Sequence, residues 1–183
     1  MAAQGQHYSR SARENEEMKT ANPIQHEKRF FLAYWLPTTL DRNSEEEDSR
    51  MNHAASEQFA RLDDSGGDTV WFVTVTNGHL ILIGRMIVGR KVTKNQAALS
   101  LGCSPKQLWD ASIHILSRGK ARKMVEVDIT KLAIHLRFLS SSGKDRLSIT
   151  KGKVKPEQLQ SMRRLTTESA LLLEAVVIGA GGD

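Results

Sequence analysis

From residue 29 onwards the hydrophobic positions fall into short runs separated by polar punctuation, and the two clearest are Thr69 to Thr76 and His79 to Val88. Both are rich in β-branched residues and flank Asn77-Gly78, the dipeptide that signals a two-residue hairpin turn most strongly. A two-residue loop sets the pairing, and it predicts Trp71 opposite Gly84, Phe72 opposite Ile83 and Val70 opposite Arg85. An indole over a bare glycine lets a sheet curve while covering the gap. Both faces of this hairpin are apolar, so it belongs in a closed barrel or under a helix.

Upstream, Phe30 to Leu36 is an apolar run stopped by Pro37, which reads as a buried strand. Ser44 and Glu47 form a capping box, and Met51, Ala55, Phe59 and Leu62 follow at helical spacing, which predicts a helix ending before Gly66-Gly67-Asp68. Downstream, Thr93 and Gln96 cap a short helix that stops at Gly102, and Ser104-Pro105 opens a turn or second short helix through Trp109. Strand character returns at Ser112 to Leu116, Met124 to Val127 and Ile134 to Phe138, with a small strand at Leu147 to Ile149. Pro156 opens a helix presenting Leu159, Met162 and Leu165, and Thr166 or Thr167 caps a last one through Val177. The fold class is α+β, with about six strands and peripheral helices.

At 183 residues and 39% apolar content, the chain can bury one core. Residues 1–28 are polar and without periodicity and read as a disordered arm, 29–177 as a single domain, and 178–183 as a flexible tail. The single cysteine, Cys103, excludes an internal disulfide and any CxxC zinc site, and the scattered histidines give no reason to expect a metal or other cofactor. No signal-peptide pattern, lipidation motif or apolar stretch of membrane length is present, so a cytoplasmic protein without a membrane partner is expected.

Charge changes the picture. Residues 85–164 hold eighteen Lys or Arg against five Asp or Glu, whereas residues 41–68 hold three against nine. A domain that crowds positive charge onto one half attracts a polyanion, and DNA or RNA is the expected partner. The backbone contacts would come from Arg85, Arg90, Lys91, Lys120, Arg122 and Lys123. Helix-turn-helix spacing from Lys94 to Ile113 offers one mode of binding: Ala98, Leu101, Gly102, Leu108 and Ala111 occupy packing positions, and Lys106, Gln107 and Asp110 would face a major groove. A base reader is the other. Three tryptophans among few aromatics supply stacking faces, of which Trp35, at a strand end before a proline, is the best placed for a pocket.

The order of elements carries a further signal. Tyr34-Trp35-Leu36-Pro37 on an apolar strand, an intervening helix, Gly67-Asp68-Thr69-Val70-Trp71-Phe72 and then Ile83-Gly84-Arg85-Met86-Ile87-Val88 resemble the EVE domain of the PUA-like superfamily. Trp109 before a strand, Leu136-Arg137-Phe138, Arg146-Leu147-Ser148 and a closing helix continue the likeness over residues 30–177. The resemblance implies a small curved β-barrel with flanking helices and an aromatic-lined pocket for a modified base. Within it, Trp35 and Tyr34 would lie at the opening strand, Trp71 and Phe72 on the aromatic strand, and Gly84 would permit close approach. The chain departs from the family where Pro37-Thr38-Thr39 replaces Ser-Glu-Pro and where a Tyr or His is missing near Val73 to Val75. The family's second Trp and its Arg-Asn stretch also have no counterpart between Ser44 and Leu62.

An enzyme is not expected. Glu126, Asp128 and Lys131 lack the Glu-x-Lys spacing of restriction-type nucleases, Asp63-Asp64 and Gly66-Gly67 have no phosphate-loop pattern, and no nucleophile-His-carboxylate set can be assembled. Chemistry on a bound nucleic acid would fall to a separate nuclease partner. A protein-interaction module without nucleic-acid binding is the remaining alternative.

Overall fold

The computed structural model describes residues 27–39, 50–63, 67–141 and 143–181. Residues 1–26 of the expected arm and the Ser44–Glu47 capping box lie outside them. The described chain is α+β: a curled, mostly antiparallel sheet with one long helix against it. In chain order the strands are β1 (Phe30–Tyr34), β2 (His53–Ala55), β3 (Thr69–Thr76), β4 (His79–Val92), β5 (His114–Ser117), β6 (Val127–Asp128), β7 (Ile149–Thr150), β8 (Lys153–Val154) and β9 (Arg163–Arg164). Among the described residues the helices with both ends defined are α1 (Lys94–Leu101) and α2 (Thr167–Gly179). The main sheet runs β2-β5-β4-β3-β1-β9, with β6 on the free part of β4 and β7-β8 forming a separate hairpin.

The β3-β4 hairpin forms as its turn dictates, with Asn77 and Gly78 both at positive φ (56° and 86°), as a type I′ turn requires. Its expected register holds from Thr76↔His79 to Val73↔Leu82 and then shifts by one residue, so that Phe72 faces Gly84, Trp71 faces Arg85 and Val70 faces Met86. A bulge at Ile83 absorbs the extra residue. The expected Trp71–Gly84 pair is therefore not made. Trp71 lies instead in a cluster with Leu32, Val73, Leu80, Leu82 and Leu173, while Phe72 and Ile83 lie on the opposite side with Phe31, Phe59, Val70 and Met86. Both faces of the hairpin are buried, and each fully buried Leu, Ile or Phe adds about 1.5–3 kcal/mol.

β4 is long enough to leave β3 and pair with β5 through its second half, and another register shift falls between Val88 and Arg90. A Cβ at Gly89 would stand 3.0 Å from the Ser117 carbonyl oxygen, so glycine permits the close crossing where the sheet turns. The ladder does not close on itself: β2 and β9 are its two ends. Side chains span the gap between them. The Gln58 amide donates to the Gln160 carbonyl at 2.7 Å and accepts from the Met162 N–H, and Arg61 donates to the Met162 carbonyl at 2.8 Å.

Helix α2 covers the first cluster with Ala170, Leu173 and Val177. Thr166 caps it, as expected, and the Ser169 hydroxyl accepts from the Arg137 N–H at 2.7 Å. The Arg85 guanidinium meets Glu174 at 2.6 Å, tying β4 to the helix. At the other end of β1, Arg29 grips the buried Asp68 through Nε at 3.0 Å and Nη2 at 2.6 Å, and Asp68 also accepts from the Asp63 N–H. Asp68 is thus an architectural carboxylate joining the starts of β1 and β3.

Several expected elements differ. Residues 50–62 are not helical: β2 adds to β5, and Glu57–Arg61 forms a 3-10 turn capped by Ser56. Met51, Phe59 and Leu62 are buried as expected, but the four-residue spacing that suggested a helix reflects a strand followed by a turn. Ala133–His135 is a 3-10 turn where a strand was expected, and Phe138 makes one isolated bridge to Leu165. Pro156 opens only the turn Pro156–Leu159, after which β9 pairs with β1. The second helix of the helix-turn-helix reading does not form either. α1 stops at Gly102, which is left-handed at φ 67°, Pro105–Gln107 is a single 3-10 turn, and β5 begins at His114.

Candidate functional site

The gap between the sheet's ends holds a cavity of about 300 Å³, at the lower end of the range for small-molecule sites. Its walls come from the end of β1 (Tyr34, Trp35), from β2 (His53), and from the loop before β5 (Gln107, Leu108, Trp109), with Met162 beside them. Trp35 continues β1 by one backbone bond, its N–H donating to the Val73 carbonyl at 2.8 Å, and its ring rests on Phe72 with centroids 4.9 Å apart. Pro37 ends the strand there and leaves the indole half-buried at the cavity. Tyr34 is also half-buried, and burial pushes its phenol pKa up.

Trp109 lies on the opposite arm of the site and is 51% exposed, more than a tryptophan placed for packing alone would be. Its loop is held on several sides. Glu57 accepts from the Ser112 N–H at 2.6 Å and from the Ser112 hydroxyl, and those bonds hold its pKa below the usual range. Lys94 pairs with Asp110 at 3.1 Å, and the Ala111 carbonyl accepts from His114 Nε2 at 3.0 Å. A loop fastened this way offers a preformed wall, which lowers the ordering cost of binding.

His53 and the fully buried His114 lie side by side, with Nε2 of His53 2.7 Å from Nδ1 of His114 and the rings 19° from parallel. Burial first, and the neighbouring His114 second, lower the His53 pKa to about 4. Among the described residues no group of three or more His, Cys, Asp or Glu is arranged to hold a metal ion.

This burial predicts an acid sensitivity. An unfolded histidine titrates near pH 6.5, so between about pH 6.5 and 4 the unfolded chain binds a proton that folded His53 refuses. Stability is complete above that window and falls as the pH drops through it, by about 2 kcal/mol on reaching pH 5. The Glu57 carboxyl near the pair is itself held below the usual carboxylate range by its bonds to the Ser112 hydroxyl and N–H. Thermal or urea unfolding at pH 7 and pH 5 measures the loss, and His53→Gln should remove most of it. An unchanged slope in that variant would assign the loss to other groups.

A second, larger recess of about 880 Å³ opens beside the first and shares Met162 with it. Arg61, Lys144, Arg146, Lys155 and Arg163 line it, against Asp145 and Glu157. Arg163 stacks its guanidinium 3.7 Å from the centre of the Phe138 ring and donates to the Lys144 and Arg146 carbonyls, and burial lowers its pKa. It builds the recess floor, while Lys144, Arg146 and Lys155 are exposed.

Of the residues singled out from the sequence, Trp35 and Tyr34 line the cavity. Trp71 and Phe72 are core residues, and Gly84 is buried against Met51. Phe72 contributes only as the support beneath Trp35. None of the six expected backbone-contact residues lines either recess. Arg85 is paired with Glu174, and Lys91 donates to the Ala60 and Leu62 carbonyls. Arg90 donates to Ser100, Arg122 is half-buried, and Lys120 and Lys123 are exposed. Sequence reasoning missed Trp109 and His53 as site residues. A tryptophan in a loop of polar residues was the available signal for the first; the second was hidden inside an expected helix. Among the described residues no helix is long and apolar enough to cross a membrane. Comparison of the chain with protein-family models, curated proteins and solved structures gives no match, so the reading of this cavity rests on its own residues.

Proposed function

We propose that the chain is a nucleic-acid-binding module of the EVE, PUA-like kind that takes one unstacked base, preferably a modified one, into the cavity walled by Trp35 and Trp109. The observation that carries this reading is two indoles on separate, braced arms of a half-open cavity that has a basic recess beside it. Indole faces bind any planar base by stacking, and the adjoining cations suit the phosphates on either side of it. The curled sheet with its flanking helix is in keeping with a PUA-like barrel whose last seam is made by side chains. The reading needs no catalytic group and no cofactor, and cutting of the nucleic acid would belong to a nuclease partner.

The deciding experiment is a titration of matched single-stranded and duplex oligonucleotides carrying cytosine, 5-methylcytosine, 5-hydroxymethylcytosine or N6-methyladenine, at two salt concentrations. Preference for one modified base that persists at the higher salt supports the reader, because stacking and edge contacts do not depend on counterions. Equal affinity for all of them would leave a nonspecific basic domain.

The recess adds a separate expectation. Replacing Lys144, Arg146 and Lys155 together by Ala should flatten the dependence of log affinity on log salt for a single strand by about 2, at roughly 0.7 per phosphate. The same change at Lys120, Arg122 and Lys123 should do less. The reverse order would move the backbone path to the loop after β5.

One observation favours the protein-interaction alternative: α2 exposes Leu171 and Ile178, at 65% and 55%, on its outer side. Absence of any oligonucleotide binding at low salt would bring that reading forward.

A further inference from the structure

The polar groups around the cavity are nearly all engaged in holding the fold. Gln58 uses its amide oxygen and nitrogen across the sheet gap, Gln107 accepts from the Ser104 N–H, and Ser56 accepts from the Gln58 N–H. His53 differs. One ring nitrogen, Nε2, is given to His114, and among the described residues Nδ1 has no partner.

The protonation of that free nitrogen follows from the chain of bonds. A carbonyl oxygen only accepts, so His114 Nε2, 3.0 Å from the Ala111 carbonyl, must carry a hydrogen. In a neutral imidazole the other nitrogen is then a bare lone pair. The 2.7 Å contact between the two rings needs one donor and one acceptor, and His114 offers the acceptor. Its Nδ1 therefore accepts from His53 Nε2–H, and by the same rule His53 Nδ1 is a lone pair. The tautomer of a cavity-lining histidine is set by a backbone carbonyl two links away.

From this we infer that His53 Nδ1 is a fixed hydrogen-bond acceptor that selects bases presenting an amino group, of the cytosine or adenine kind, over planar bases without one. The inference rests on the cavity being a base pocket and names the edge chemistry it reads. Rotation of an ordinary serine or an unanchored histidine would tolerate donor and acceptor alike. Here the swap is opposed, because turning Nδ1 into a donor requires either a second proton on a ring that burial and His114 keep neutral or the loss of one bond in the relay, to His114 or to the Ala111 carbonyl. A base lacking the amine would leave the nitrogen desolvated and unpaired, the kind of mismatch that discriminates strongly.

The test pairs bases that differ only in the amine. Oligonucleotides carrying cytosine or 2-pyrimidinone, and adenine or purine, are titrated against the wild-type chain, His53→Phe, His53→Gln and Trp35→Ala. The amine-bearing base should bind the wild-type chain about tenfold or more tightly within a pair. Both His53 variants should lose that ratio, with two variants guarding against one that folds poorly. Nitrogen-15 spectra of the imidazoles should show both rings neutral with the proton on Nε2. Equal binding within each pair, with affinity still dependent on Trp35, would overturn the inference and leave the pocket standing. A proton on His53 Nδ1 would overturn it directly. Binding indifferent to Trp35→Ala would sink the pocket itself, and the selection with it.

Discussion

Removing both indoles, Trp35→Ala with Trp109→Ala, should abolish detectable preference among bases and weaken single-strand binding by several hundredfold, while each single change costs about 5- to 150-fold. The range follows from the roughly 1–3 kcal/mol that stacking supplies per base and aromatic face, with every 1.4 kcal/mol a factor of ten. Trp109 is the cleaner probe because it is largely exposed. Trp35 also rests on Phe72, and its loss will subtract some stability. Circular dichroism and thermal unfolding separate the two effects, since Trp109→Ala should leave both nearly unchanged. Oligonucleotide affinity that survives the double change would mean that the basic recess alone binds, without a base in the cavity.

Gly84→Val should be the most damaging single substitution in the hairpin, with a loss of roughly 2–4 kcal/mol and a fall in melting temperature on the order of 10 °C. The reason is not the indole expected from the sequence. Gly84 lies next to the bulge at φ 155°, where side chains are rarely found, and an added Cβ would press on Met51 Cγ at 3.3 Å. Most of the cost is backbone strain, so Gly84→Ala should keep a large share of it. Thermal unfolding of the two variants checks this. An alanine variant as stable as the wild type would place the cost in the branched side chain instead.

What could be read from the chain was local. Asn77-Gly78, Thr93 with Gln96, Ser104-Pro105 and Thr166 each carry their geometry in a few neighbouring residues, and each forms as expected. That Trp35 would line a cavity was legible for the same reason: a strand end, an aromatic and a proline stand together. The bulge at Ile83 was not legible, because Leu80 to Ile83 is apolar without alternation and gives no sign of where the faces exchange. The segment from Met51 to Leu62 misled because a strand joined to a 3-10 turn buried residues at intervals that also suit a helix. His53 and Trp109 meet only through the pairing of β2 with β5 and the bracing of the loop before β5. Such a meeting is a property of topology, to which periodicity along the chain is blind.

The side-chain seam between β2 and β9 has a consequence for how the protein can change over generations. A barrel closed by a backbone ladder resists alteration, since widening it means re-registering whole strands. Here the two ends of an open sheet are bridged by side chains, with Gln58 and Arg61 reaching the carbonyls and N–H of Gln160 and Met162. Substitution at two positions can therefore alter the spacing of the two sheet ends, beside which the cavity lies, while every strand keeps its place.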